Sequence, residues 1–408
     1  MGLALNIRVA AGELLVVGLG GAELTGLERA WLKLVRPAGV ILFRRNVLDV
    51  GQARGVLREA AGLCAENPLR CVDVEGGTVD RLRDALAPLP SAQAVGRAMR
   101  TPTHRDRAAM NGAQGVDRVS ERRRAGPSTA LRSAQDDKCV GKSNFAREHG
   151  ELVGLGVRAF GFNATLAPVL DLGLEQSAGV MGTRAAAGTA EGVVRYGRGF
   201  LAGLKAQGVA GCGKHFPGLG GGTLDSHLET PEIGRTMREL NGEDLVPFGE
   251  LRDELPMVMV NHAAYPLTQG GVRPASVSKY WITGVLRGRI GYRGLIFSDD
   301  LEMGGILKCM PIEDAVVEAV RAGMDLMEIC HSPELILRAY EALISESERS
   351  LVFRKLLLAR ARECGLKRKK LFAGKEARAL SAGQFEGLRR RILEFGERVA
   401  LAQEMGAA

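Results

Sequence analysis

Short, continuous apolar runs rich in β-branched residues recur along the chain, at 14–18, 39–43, 70–74, 162–170, 209–213, 257–261, 294–298 and 325–329. They do not alternate with polar residues. That pattern fits strands buried on both faces, as in a parallel sheet. Helical periodicity fills most of the gaps. Segment 189–207 places Val193, Phe200, Leu201 and Leu204 on one face and stops at Gly208, immediately before the next apolar run. Segment 313–322 does the same with Val316, Val317 and Val320, then Gly323. Such glycines are helix stops. Eight strands alternating with helices predict an α/β fold, a TIM-type (β/α)₈ barrel; pattern alone leaves an open doubly wound sheet as the alternative.

Two regions break this rhythm. Segment 101–143 is polar, has no aromatic residue and no steady period. It is expected to be an inserted, disordered or loosely ordered surface loop after the third strand. The last stretch is basic, with 351–361 and 385–399 as amphipathic helix candidates. The expected organisation is therefore one catalytic domain over 1–345, interrupted by the insertion, and a helical basic extension over 346–408.

The 408 residues carry a net charge of +8. A basic balance raises the question of nucleic acid or an anionic membrane. Nine Lys/Arg against five Asp/Glu fall within 101–143, and much of the remainder sits around Lys367-Arg368-Lys369-Lys370. Neither stretch interleaves aromatics as a nucleic-acid platform does, so both are expected to be solvated surface, with no nucleic-acid partner. No apolar run reaches 18 residues, so no membrane association is expected. Seven cysteines, an odd number without a CxxC pair, read as small core residues in a reducing compartment. Arg8 and Glu13 interrupt any leader-like run. The expectation is a cytoplasmic protein; the oligomeric state stays open, with a monomer as the default.

In a barrel, chemistry gathers at the C-terminal ends of the strands. Those positions hold Asp73 and Glu75, then Asp171, Lys214 and His215, Asn261 and His262, Asp299 and Asp300, and finally His331. Asp225 and His227 stand two apart in a Gly-rich segment. A carboxylate on one ring nitrogen would fit that His for general acid/base work, although spacing alone favours a turn with an exposed His. A lone His is more often structural than functional. Several acids, bases and cations converging on one rim are harder to dismiss.

The strings KHFPGLGGGTLDSH (214–227) and GYRGLIFSDDLEM (291–303) together resemble glycoside hydrolase family 3, in particular its single-domain bacterial β-N-acetylhexosaminidases of peptidoglycan recycling. GVILFRRN (39–46), VDVEGGTVDRL (72–82), LAPVLDLG (166–173) and PASVSKYWITGVLRGRIGYRG (274–294) extend the resemblance from about residue 14 to 332. It implies a retaining hydrolase that removes non-reducing terminal β-linked GlcNAc from peptidoglycan fragments, with a small carbohydrate or muropeptide as substrate and no cofactor. By the same resemblance Asp299 matches the nucleophile, His227 the acid/base and Asp225 its carboxylate partner. Lys214 and His215 match binders of the GlcNAc unit, and Asp73, Arg81 and Arg184 further sugar-binding positions. Asp300 competes for the nucleophile's role on spacing alone.

The chain departs from the family at three points. Leu219 stands where a second His is usual, Val74 where Gln is usual, and Thr78-Val79-Asp80-Arg81 replaces the usual RVxR. These put fine substrate contacts in question, not the reaction. Two other readings remain open. One is a phosphorylase, since a neutral His acid/base does not repel phosphate. The other is an inactive GlcNAc-binding module. Gly18-Leu19-Gly20-Gly21 lacks the spacing of a dinucleotide loop, and Cys212, His215 and His227 match no common zinc site, so no metal is expected.

Overall fold

The computed structural model describes residues 6–99, 144–222, 231–374 and 379–407. The segment 101–143 and the pair Asp225 and His227 lie outside the described residues. Among the described residues ten strands follow in chain order: β1 (Leu15–Gly18), β2 (Gly39–Leu42), β3 (Leu69–Val72), β4 (Val74–Gly76), β5 (Val79–Asp80), β6 (Ala164–Thr165), β7 (Ala210–Phe216), β8 (Met257–Val260), β9 (Leu295–Asp300) and β10 (Leu326–Ile329). Eight of them close into a barrel in the order β1-β2-β3-β6-β7-β8-β9-β10 and back to β1, every pair parallel. β4 and β5 form a separate antiparallel hairpin just past β3. The closed barrel replaces the open sheet that the hydrophobic pattern alone allowed.

The expected runs and the barrel strands coincide, with one shortening. The run at 162–170 supplies only Ala164–Thr165 as strand, followed by a single bridge between Val169 and Lys214. Pro168 has no N–H to give to a ladder, so continuous pairing cannot pass through it. Closure also demands close backbone approach: a Cβ on Gly18 would lie 1.8 Å from the Cys330 carbonyl oxygen. Around the barrel, Ala190–Ala206 buries Val193, Phe200, Leu201 and Leu204, and the Thr189 hydroxyl accepts the Gly192 N–H at its start. Ile312–Ala322 ends at Gly323, whose φ of 106° suits a residue without a Cβ.

The C-terminal helices are part of the packed body. Leu351–Phe372 lies across the N-terminal ends of the strands. Arg368 is 1% exposed and donates to the carbonyls of Ala38 and Glu66 at 3.2 and 2.9 Å and to Glu13 Oε2 at 3.2 Å. Lys367 pairs with Asp325 at 2.9 Å. The expectation of a solvated surface around Lys367-Arg368 is therefore corrected: these two cations satisfy carbonyls and carboxylates at the barrel's closed end. Ala382–Ala407 packs Phe395 on His149, ring centroids 5.9 Å apart. No helix among the described residues is long and apolar enough to cross a membrane.

Candidate active site

The opposite, C-terminal end of the barrel opens into a cavity of about 490 Å³. Asp73, Arg81, Arg184, Lys214, His215 and Asp299 all line it. Six of the eight residues singled out from the sequence are thus brought to one place, and the other two are Asp225 and His227.

Two bulges explain how neighbouring residues reach the same space. Side chains on a regular strand alternate faces, so consecutive residues cannot both point inward. Between β7 and β8 the register slips from Gly213↔Val258 to Phe216↔Val260, and between β9 and β10 from Phe297↔Leu326 to Asp300↔Glu328. Each slip inserts one extra residue, which re-aims side chains. Lys214 with His215, and Asp299 with Asp300, consequently face the cavity as adjacent pairs.

The cations are held by a carboxylate that the sequence analysis did not single out for a role. Glu75, on β4 and 3% exposed, accepts Arg184 through Nε and Nη2, both at 2.8 Å, and lies 2.7 Å from Lys214 Nζ. Lys214 Nζ also donates to Asp73 Oδ1 at 2.8 Å. Burial alone would push the Glu75 carboxyl up, but Arg184 and Lys214 hold it well below the ordinary range. The same carboxylates hold Lys214 and Arg184 above theirs, against burial. The three groups therefore stay charged, and the paired geometry is what permits burial. Arg81 stands further out, 3.9 Å from Asp73.

His215 is oriented in the same manner. Asp171 Oδ2 accepts its Nδ1 at 2.6 Å and its backbone N–H at 3.0 Å, while Asp171 Oδ1 accepts the Leu219 N–H at 2.7 Å. A carboxylate on Nδ1 fixes the tautomer and leaves Nε2 toward Arg184, 3.4 Å away. Leu219, in the place of the usual His, is buried and keeps this loop contact through its backbone. His262 bridges Ser276 Oγ at 2.7 Å and the Asp300 carbonyl at 2.9 Å, which ties β8 to the end of β9.

The two adjacent aspartates differ electrostatically. Burial pushes Asp299 up, but His215, His262 and Lys214, with the Asp300 N–H, bring it below the ordinary carboxylate value. Asp300 has only the Glu302 N–H at 3.0 Å and, at 3.7 Å, the exposed His331. Burial first, with Glu302 and Asp299 nearby, pushes it up to about 7. Pairs of carboxyl groups pushed apart in this way divide into an ionised group and a protonated one. That difference supports the first aspartate over the second as the anionic group. Asp300, Glu302 and His331 offer donor atoms within 4.8 Å of one another. Both Glu302 oxygens are already committed, accepting the N–H groups of Cys330, His331 and Ser332 at 3.1, 2.5 and 2.7 Å. The trio reads as a turn anchor.

The rim is cationic and aromatic. Phe43 packs against His331 with centroids 5.3 Å apart and the rings tilted by 31°, and Arg45 lies 4.8 Å from the Phe43 centroid.

Comparison with known proteins gives the family directly. Residues 6–352 match the Glycosyl hydrolase family 3 N terminal domain. A protein named Beta-hexosaminidase from Alkalilimnicola ehrlichii is 36% identical over 323 residues, 79% of this chain and 82% of that one. Another of that name, from Idiomarina loihiensis, is 31% identical over 82% of this chain and 88% of its own. Among solved structures, a glycoside hydrolase family 3 β-N-acetylglucosaminidase from a Paenibacillus species aligns with TM-score 0.77 and 30% identity, covering 96% of this chain and 69% of that one. NagZ from Neisseria gonorrhoeae aligns with TM-score 0.70 and 25% identity, covering 97% of this chain and 98% of its own. With the family matched over most of its length, this chain is a glycoside hydrolase and belongs to glycoside hydrolase family 3.

Proposed function

We propose that this enzyme removes terminal β-linked GlcNAc with retention of configuration. Asp299 attacks the anomeric carbon, and His227 protonates the departing oxygen. A glycosyl–Asp299 ester forms. His227 then takes a proton from water, which hydrolyses the ester and restores the carboxylate. Asp225 orients His227. Lys214, His215, Arg184, Asp73 and Arg81 hold the sugar through hydroxyl and acetamide groups. The observation that carries this reading is the ionised Asp299 at the end of β9, in the field of His215, His262 and Lys214. The names of the similar proteins support the hexosaminidase assignment.

The physiological substrate is a peptidoglycan fragment, and the compartment is the cytoplasm. The six described cysteines are all free, which supports a reducing compartment. The test is release of nitrophenol from p-nitrophenyl β-N-acetylglucosaminide, with and without phosphate, beside Asp299→Ala. The expected outcome is turnover indifferent to phosphate and reduced at least about 10³-fold in the variant, as for loss of a nucleophile that works with an acid/base partner. Turnover that requires phosphate would make the enzyme a phosphorylase. A folded wild type that cleaves nothing would sink the proposal.

A further inference from the structure

The strand β10 reads Leu326-Met327-Glu328-Ile329, one acid inside an apolar run. Glu328 is 2% exposed and lines the same cavity as Asp73, Lys214 and Asp299. Leu166, after β6, and Met259, on β8, line the same cavity with apolar side chains. Nothing in the barrel's packing calls for a carboxyl here. The backbone N–H of Glu328 is taken by Ser298 Oγ at 3.0 Å and its carbonyl by the Leu301 N–H, so the strand is secured without the side chain. Among the described residues no cation pairs with the carboxyl; one oxygen meets the Cys330 thiol, and the other, Oε1, is buried with no hydrogen-bond partner. Of the cations that line the cavity, Lys214 and Arg184 are already engaged by Glu75 and Asp73. A buried polar group kept without a partner is a standing cost, and a ligand that supplies the partner relieves it.

We propose that Glu328 is a further substrate-binding residue, which hydrogen-bonds a hydroxyl of the sugar seated beside Asp299. Burial, and the nearby acids Asp300, Asp73 and Asp299, push its carboxyl well above the ordinary value. The neutral acid can donate as well as accept, which suits a hydroxyl. A neutral form also keeps a further negative charge away from Asp299. The recognition is of a hydroxylated pyranose, so an analogue lacking that one hydroxyl is discriminated against. Sites built to pair a substrate hydroxyl reject the deoxy analogue strongly, because their own polar group is then left unpaired.

This inference rests on the glycosidase reading, and the experiment separates the two. Wild-type turnover on a panel of p-nitrophenyl β-glycosides tests the substrate assignment by itself. The ratio of variant to wild type, on whichever glycoside is cleaved, tests Glu328. Glu328→Met and Glu328→Gln are compared, with thermal melts alongside. The expected result is a loss of roughly 10- to 100-fold in kcat/KM for Met and less than about 5-fold for Gln. The Met variant should melt no lower than wild type, since it removes a buried carboxyl oxygen that has no partner, at the loss of only a weak thiol contact to Cys330. One monodeoxy derivative of the preferred sugar should inhibit wild type about 10-fold more weakly than the parent sugar, and the Met variant equally. Activity in Met within threefold of wild type overturns the proposal. So does a Met variant that fails to fold or loses activity and melting temperature together, because the carboxyl would then be structural.

Discussion

Glu75 neutralises two cations at once, and removal of its charge should be felt in both. Glu75→Gln leaves Arg184 and Lys214 buried side by side with Asp73 as their remaining acid. Breaking one partner of a buried ionic cluster costs about 3–5 kcal/mol because the others stay desolvated. The expected outcome is a fall of that order in a denaturant unfolding measurement, with kcat/KM reduced about 10- to 100-fold as the cavity-lining cations shift. An unchanged variant would mean that the clamp does not position them. Asp171→Asn should act differently. An amide of the same shape can no longer enforce the His215 tautomer, and its NH2 faces a backbone N–H that Asp171 accepted, so kcat/KM should drop about 10-fold or more and stability by about 1–3 kcal/mol, checked by kinetics beside a melt. Neither acid stood out in the sequence as more than one of several at strand ends. The Glu75 signal was present, as an acid two residues past Asp73 in VDVEGG, but only the fold of the β4–β5 hairpin turns it inward.

At the scale of elements, the strands were legible because a parallel barrel buries both faces, leaving continuous apolar runs. The bulges in β7 and β9 were not. A one-residue slip has no compositional signature, yet it decides that Lys214 and His215 face the cavity together. The glycine-rich loop after β7 shows a related effect. It is wedged over Asp244, with a Cβ on Gly218 falling 2.6 Å from the Asp244 Cβ. Asp244 is 1% exposed and faces Arg235, whose Nε is 3.3 Å away, with Asp171 and Glu243 as the acids nearby. Burial pushes it up to about 7 in spite of Arg235. A carboxyl raised in the folded state binds its proton more tightly there than in the unfolded chain. Stability is therefore fullest below the unfolded value and falls as pH rises toward 7. Between pH 5 and 8 the wild type should lose on the order of 2 kcal/mol relative to Asp244→Asn, read as a narrowing or reversal of the melting-temperature gap. Parallel pH profiles for the two would show that Asp244 does not titrate in this window.

For the whole molecule, the two ends of the barrel have separate duties. The open end carries the cavity, and the closed end is sealed by Leu351–Phe372. That helix buries Phe353, Leu357, Ala361, Cys364, Arg368 and Phe372 along one face. The sequence exposed only its first half, because the basic run at 367–370 hides a stripe that continues through Arg368. The hidden stripe made the segment look like an extension, whereas Arg368 reaches the carbonyls that precede β2 and β3 and the Glu13 ahead of β1. The family match ends at residue 352, yet the Paenibacillus structure aligns over 96% of this chain, so the cap's fold is shared beyond the matched segment. A chain cut after Ser350 would expose the strand starts that this helix covers and leave Glu13 without its guanidinium. Such a fragment should be recovered insoluble or without a cooperative melt, whereas Arg368→Ala in the full chain should fold but lose about 3–5 kcal/mol. A soluble fragment 1–350 that melts cooperatively and cleaves the wild-type substrate would show instead that the barrel closes without its cap.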